Sequence, residues 1–261
     1  MKKRRILFFD VDGTLYDSLN KTVHPSTLSA IKTLHKQGDT VIAVATGRAF
    51  YMLDIIESLK PYIDVYITIN GRIIYNKDTI IYDFPMPSDD IVRFKRQFMD
   101  QNLNFGFIGK HKQAIHTLDD YARSMFEKAS LPCPTEDPLF NLEHDVYQMW
   151  AFGPQKAMKA FENYHEDYDV VPWLKDGFDI IHKDTHKGSG VLKVLNTLAF
   201  TKDEAFAFGD ADNDIPMFKA VKTSVAMGNA TKNLKRHATM VTGSEDENGI
   251  EEALRRLKFI K

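Results

Sequence analysis

The chain has 261 residues, which at about 150 residues per domain places it between one large domain and two. Its 43% hydrophobic, 11% aromatic and 27% charged composition excludes disordered, collagenous and low-complexity classes, and one cysteine, Cys133, excludes an internal disulfide or a cysteine zinc site and fits a reducing compartment. With 34 Lys+Arg against 36 Asp+Glu the net charge is -2, so nothing electrostatic points to nucleic acid or an anionic membrane, and small molecules are the expected partners.

The Lys2-Lys3-Arg4-Arg5 cluster leads only into Ile6 to Phe9 before Asp10 ends the apolar run, too little for a signal peptide. No run approaches the roughly 20 apolar residues of a membrane helix. A cytoplasmic protein is expected.

Short apolar and helical stretches alternate up to residue 82. Ile6 to Phe9, Val41 to Ala45 and Val65 to Ile69 read as buried strands, with helices expected over Pro25 to Gln37 and Phe50 to Leu59. Such alternation predicts an α/β fold, a parallel sheet with helices on both faces. Arg72 to Tyr75 and Thr79 to Asp83, around Asn76-Lys77-Asp78, read as a hairpin.

After Phe84-Pro85-Met86-Pro87 the rhythm changes. A helix over Asp90 to Asn102 precedes strands at Phe105 to Ile108 and Ala114 to Thr117, a helix from Asp119 to Ala129, and a Pro-rich stretch from Leu131 to Pro138. A strand at Val146 to Phe152, a helix from Pro154 to Glu166, and strands at Val170 to Leu174 and Phe178 to His182 follow. Paired strands between helices predict an antiparallel α+β module. From Gly188 the first style resumes, with a helix to Leu198, a strand at Ala205 to Phe208, a helix from Ile215 to Ala220, a strand near Ser224 to Met227 and a closing helix from Gly249 to Leu257.

The expected organisation is a discontinuous core, 1–82 and 185–261, interrupted by an inserted module at 83–184. The insert holds 11 Lys/Arg against 18 Asp/Glu, net -7, which leaves the core at +5. Opposite charges suit modules that close on each other, although salt screens long-range attraction.

Four segments carry candidate chemistry. In Phe9-Asp10-Val11-Asp12-Gly13-Thr14, residues i and i+2 of a strand share a side, so Asp10 and Asp12 can face one pocket. Two carboxylates about 4 Å apart repel by roughly 4 kcal/mol at an effective dielectric of 20, which a cation or a shared proton must relieve. A lone Asp-x-Asp also simply ends a strand. An EF-hand is excluded, since Lys21 stands where its loop needs Glu.

Thr46-Gly47-Arg48, after the second strand, places a hydroxyl beside free amides at a helix start, a good oxyanion contact, while Arg48 reads as a solvated helix residue. Thr185-His186-Lys187-Gly188-Ser189-Gly190 opens a helix and offers an ammonium to phosphate, without a Walker or dinucleotide spacing. In Phe208-Gly209-Asp210-Ala211-Asp212-Asn213-Asp214-Ile215-Pro216 a strand again ends in acids, and a lone Asp214 would read as a helix cap. Carboxylates alone suit magnesium better than zinc.

All four lie at strand ends or helix starts, where open α/β sheets bind ligands. Together they resemble, in order, the four motifs of the haloacid dehalogenase-like (HAD) hydrolase superfamily, and the insert lies where its Cof-type phosphatases carry a C2 (C2B-like) cap. The tail segments Val225 to Ala230, Val241-Thr242 and Asn248-Gly249-Ile250 are similar to that group's, so the resemblance spans nearly the whole chain. Two departures are Asn248, where Asp is usual, and Arg72 after Asn70-Gly71, where a small residue is common and where Arg72 is expected to alter what the pocket admits.

The resemblance implies a Rossmann-like core with an inserted α+β cap, and a Mg2+-dependent phosphatase working through an aspartyl phosphate. Asp10 would attack phosphorus and Asp12 would protonate the leaving alcohol and then activate water. Thr46, Gly47, Lys187 and Asn213 would contact phosphate or substrate, with Lys187 also restraining Asp10. Mg2+ would be held by Asp10, the backbone carbonyl of Asp12 and Asp210, with Asp214 orienting that shell. Against four carboxylates and one ammonium a phosphate would otherwise meet three net negative charges, so the cation is required. The cap is expected to close over the pocket, with Trp173, Lys175, His182 and Lys183 as candidates, although cap core and solvated surface explain these residues more simply. Its net -7 favours a monophosphate with a neutral polar leaving group, such as a sugar phosphate. A phosphotransferase or mutase, distinguished by its products, and a non-catalytic metal-binding regulatory module, distinguished by absent turnover, are the alternatives.

Overall fold

The structure, a computed structural model, describes residues 4–77, 79–128, 131–153, 155–173 and 176–261. In chain order the strands are β1 (Arg5–Phe9), β2 (Thr40–Ala45), β3 (Val65–Thr68), β4 (Ile73–Asn76), β5 (Thr79–Asp83), β6 (Asn104–Gly109) and β7 (Gln113–Ile115). They continue with β8 (Thr135–Glu136), β9 (Val146–Phe152), β10 (Tyr168–Trp173), β11 (Gly177–His182), β12 (Ala205–Gly209), β13 (Thr223–Ala226) and β14 (Met240–Val241). The helices are α1 (Pro25–Gln37), α2 (Ser88–Asp100), α3 (Asp120–Lys128), α4 (Phe140–Glu143), α5 (Gln155–Met158), α6 (Lys187–Thr197), α7 (Ile215–Ala220), α8 (Lys232–His237) and α9 (Gly249–Arg256). Two compact units result: the chain up to Arg48 with Leu53–Asp83 and His186–Lys261, and Ala49–Met52 with Phe84–Thr185.

In the first unit the described residues form one sheet in the order β14-β13-β12-β1-β2-β3-β4-β5. Pairing is parallel from β14 to β3 and antiparallel at β4 and β5. The uninterrupted apolar runs become the central strands because both of their faces are covered: Ile6, Leu7, Phe8 and Phe9 are fully buried. The chain winds from β1 toward β3 on one side and from β12 toward β14 on the other. The gap between β1 and β12 is therefore a topological switch point, where the carboxyl ends of the strands leave a crevice. Local signals set the flanking helices. The His24 ring accepts the Ser26 N–H, Pro25 begins α1 and Gly38, at φ 69°, ends it.

The second unit has a sheet in the order β10-β11-β9-β6-β7-β8 over an aromatic core that includes Phe94, Phe98, Phe105, Phe107, Phe161 and Phe178. Its pairing is antiparallel except between β7 and β8, so the Pro-rich stretch contributes a parallel edge strand that its composition hid.

Two expected helices differ. In place of a helix over 50–59 the chain forms a 3-10 helix at Phe50–Ile56, with a second at Lys60–Tyr62; the fully buried Leu53, Ile56 and Leu59 recur every three residues, the period of that helix. The helix expected over 154–166 is helical only at Gln155–Met158. Residues beyond it close i+3 turns, and Asn163 takes a left-handed φ of 61° that ends any continuation. The short elements α4, α8 and β14 carry no periodic signal of their own. Asp78, Ala129, Pro154, Leu174 and Lys175, parts of the expected elements or of the cap candidates, lie outside the described residues. Among the described residues no helix is long and apolar enough to cross a membrane.

Candidate active site

Register alone brings the acids together. β1 and β12 run side by side with Phe9 opposite Phe208, and the Asp10 N–H donates to the Phe208 carbonyl at 3.0 Å. Asp10 and Asp210 thus leave the same sheet edge. On the other side of β1, Phe9 lies opposite Val44 in β2, so Thr46 emerges at that edge too, buried, with its N–H on the Ile67 carbonyl at 2.9 Å. Gly13 turns at φ 71° past Asp210, and a Cβ there would overlap the Asp210 carboxylate. The Asn229 side chain holds the Gly13 carbonyl at 2.8 Å.

Lys187 is the first residue of α6, whose start is closed by reciprocal bonds between His186 and Ser189. Gly188 lets this end of α6 approach closely, since a Cβ would run into the Pro216 carbonyl. The ammonium therefore reaches the sheet edge, 2.7 Å from Asp10 Oδ1 and 2.7 Å from Asp214 Oδ1, with Lys187 and Asp214 almost wholly buried. The other Asp214 oxygen accepts the N–H groups of Asp210 at 3.0 Å and Ala211 at 3.2 Å. Both Asp214 oxygens are thus engaged in shaping the loop.

One buried ammonium faces three carboxylates, and the titration of Lys187, Asp10 and Asp210 reflects it. Burial opposes the charge on Lys187, yet Asp10 and Asp214 outweigh it and hold the ammonium above the ordinary lysine value. Burial, the Asp214 charge and that of Asp210 raise Asp10 well above the carboxylate range despite Lys187. Asp210 is pushed up to about 7 by burial and by Asp214.

Among the described residues Asp10, Asp210 and Asp214 form a group whose carboxylate oxygens lie within 4.8 Å of one another. Asp210 Oδ1 is buried with no hydrogen-bond partner among the described residues. An orphaned carboxylate oxygen in an all-oxygen donor set fits a hard divalent cation such as Mg2+.

The sign of the pH effect follows. Between its ordinary 3.8 and about 7, Asp210 binds a proton in the metal-free fold that the unfolded chain has lost, so metal-free stability falls as pH rises through that window. A cation bound by these carboxylates would replace that proton. The apparent Mg2+ affinity, measured by calorimetric titration, is expected to fall by at least about tenfold per pH unit below about pH 7, and Mg2+ to raise the melting temperature more at about pH 8 than at about pH 5.5.

The Asp12 side chain does not join this group. It is 41% exposed and gripped by Arg48, whose Nε donates to Oδ2 and Nη2 to Oδ1, each at 2.8 Å. Burial opposes the Arg48 charge, but the bonds and charge of Asp12 hold the guanidinium above its ordinary value. Arg48 is thus no solvated helix residue. The signal for it was the Thr-Gly-Arg segment itself, at the same sheet edge. Gly47 is half-buried beside it, and Asn213 sits at the surface in the turn before Asp214. Arg72 is buried at the end of the 69–71 turn, and Asn248 precedes α9 as its N-terminal neighbour. In the second unit His182 packs edge-on against Phe84 and Tyr168, and Lys183 donates to the Glu166 carbonyl at 2.7 Å. Trp173 ends β10.

Carboxylates and an ammonium gathered at the switch point of an open α/β sheet mark it as the candidate ligand site. Comparison with known proteins makes this specific. The family model for haloacid dehalogenase-like hydrolases matches residues 7–254, and the chain belongs to that family. YkrA of Bacillus subtilis, named as a phosphatase, is 32% identical over 260 residues, 98% of this chain and 99% of that one. The crystal structure of a hypothetical protein from Geobacillus kaustophilus HTA426 superposes with a TM-score of 0.92 at 29% identity, covering 98% and 100% of the two chains. The HAD subclass IIB sugar phosphatase BT4131 gives 0.86 at 25% identity, over 98% and 100%. The protein is accordingly a phosphomonoester hydrolase of this family.

Proposed function

We propose that the protein hydrolyses monophosphates of small, neutral polar alcohols, sugar phosphates foremost, through an aspartyl phosphate on Asp10. The observation that carries this is the buried Lys187 bridge at 2.7 Å to Asp10, which holds one carboxylate oxygen and leaves the other to attack phosphorus in line. Asp12, two residues on and partly exposed, passes a proton to the departing alkoxide and takes one from the water that opens the aspartyl phosphate. Thr46, Gly47 and Lys187 hold the transferring phosphoryl oxygens, and Asn213 contacts the substrate.

Mg2+ would be held by Asp10, Asp210 and the backbone carbonyl of Asp12, with Asp214 ordering the loop, and when bound it neutralises charge on the phosphoryl group. All these residues belong to the first unit. The sugar-phosphate reading is supported by the acidic 83–184 segment, which offers little to a second phosphate, and by the likeness to BT4131.

Assay of p-nitrophenyl phosphate and a panel of phosphorylated metabolites, with Mg2+ and with EDTA, tests the proposal. Mg2+-dependent release of phosphate is expected, with sugar monophosphates preferred by about tenfold or more in kcat/KM over bisphosphates and nucleotides. Preference for the latter would overturn the substrate class, and full activity in EDTA would overturn the metal role.

A further inference from the structure

The Asp-x-Asp pattern puts two carboxylates on one side of a strand end, yet the structure pairs each with a different cation, Asp10 with Lys187 and Asp12 with Arg48. We propose that Arg48 is a positioning residue for Asp12, its guanidinium fixing the plane and direction of the carboxylate that serves the leaving group. This inference rests on the acid–base role proposed above for Asp12.

The constraint runs from Arg48 to Asp12. Arg48 is anchored at both ends: its backbone N–H donates to Thr46 Oγ1 at 3.1 Å, its carbonyl accepts the Ile69 N–H at 3.0 Å, and its side chain is only 12% exposed. Asp12 lies on the loop leaving β1, and its other polar neighbour, Ser18 Oγ, stands off at 3.4 Å. A carboxylate that open has several rotamers available. Two parallel bonds at 2.8 Å, from Nε to Oδ2 and from Nη2 to Oδ1, select one rotamer and also its plane, which a single ammonium cannot do. The fork occupies one lone-pair site on each oxygen, Oδ1 also accepts from Ser18 Oγ, and Oδ2 keeps a site for the proton that moves.

The third nitrogen, Nη1, is buried with no hydrogen-bond partner among the described residues. An unmet buried donor is unfavourable for stability.

The test uses the Mg2+-loaded protein and two esters. p-Nitrophenolate departs without a proton, whereas the alkoxide of glycerol phosphate needs one. In single-turnover phosphoryl transfer to Asp10, read as release of glycerol or p-nitrophenol so that the later hydrolysis step common to both esters does not enter, Arg48→Ala is expected to lower the rate for glycerol phosphate by about 10²-fold and for p-nitrophenyl phosphate by less than about fivefold, with half-saturation within about threefold for both. Arg48→Lys is expected to do no better than Arg48→Ala on glycerol phosphate, because a point charge cannot form the fork. Low concentrations of guanidinium are expected to restore part of the Arg48→Ala activity and none of the Asp12→Asn activity. In the Asp12→Asn background, Arg48→Ala is expected to add no further loss.

Circular dichroism and the melting temperature verify folding. Arg48→Lys keeps the charge and stem should the alanine variant not fold, and the same split between the two esters is then read from it. Equal losses on both esters, a loss carried by half-saturation, or additive losses in the double variant would overturn the role of Arg48. If Asp12→Asn slows the single-turnover release of glycerol and of p-nitrophenol equally, the acid role of Asp12 fails and the Arg48 proposal fails with it. If Asp12→Asn shows the split and the Arg48 variants do not, only the Arg48 proposal fails.

Discussion

Asp10→Asn is expected to lower kcat by about 10⁴-fold or more on every phosphate ester, because an amide offers phosphorus no anionic oxygen. The fold should survive. The substitution removes one of three crowded buried carboxylates, and Lys187 keeps its bond to Asp214. The melting temperature without metal is therefore expected to hold or rise, while Mg2+ affinity falls because one anionic oxygen is lost. Steady-state turnover together with calorimetry checks both halves. Activity within about tenfold of the parent would remove Asp10 from the role of nucleophile.

Lys187→Met is expected to damage stability as well as turnover. The lysine is buried between Asp10 and Asp214, 2.7 Å from each, and its removal leaves two carboxylates facing each other with no cation. Breaking a buried pair from one side costs about 3–5 kcal/mol. In a chain of this size that corresponds to a melting temperature lower by roughly 10 °C in EDTA. Mg2+ should recover part of the loss by supplying positive charge at the same acids. Adding Asp214→Asn should also recover part of it, since one of the stranded charges is removed, although the loop that Asp214 orders through Asp210 and Ala211 is then weakened. Turnover is expected to fall by about 10³-fold or more, because one residue both restrains Asp10 and receives phosphoryl charge. Unchanged stability in EDTA would mean that the bridge contributes nothing to the fold.

The residues of this site differ in how openly the sequence announces them. Asp10 and Asp210 follow apolar runs directly, Thr46 follows another, and Lys187 opens a helix, so each is marked by its own neighbours. Arg48 is not. Its partner lies 36 residues away, and a lone arginine at the start of a helical stretch looks the same whether it is solvated or buried on a carboxylate. The helices expected over 50–59 and 154–166 differ in the structure for a related reason. Apolar spacing of three and four residues reads alike over one or two turns, and only packing of Leu53, Ile56 and Leu59 and the left-handed turn at Asn163 resolves it.

By itself the sequence determined which segments become the central strands and where carboxylates leave them, because strand period, burial on both faces and turn residues are local properties of the chain. The tertiary structure decided which cation each carboxylate meets. Strand order sets Asp210 beside Asp10, close approach at Gly188 brings Lys187 between Asp10 and Asp214, and the fork of Arg48 pairs with Asp12. Contacts between residues tens to hundreds of positions apart depend on packing that no local pattern encodes.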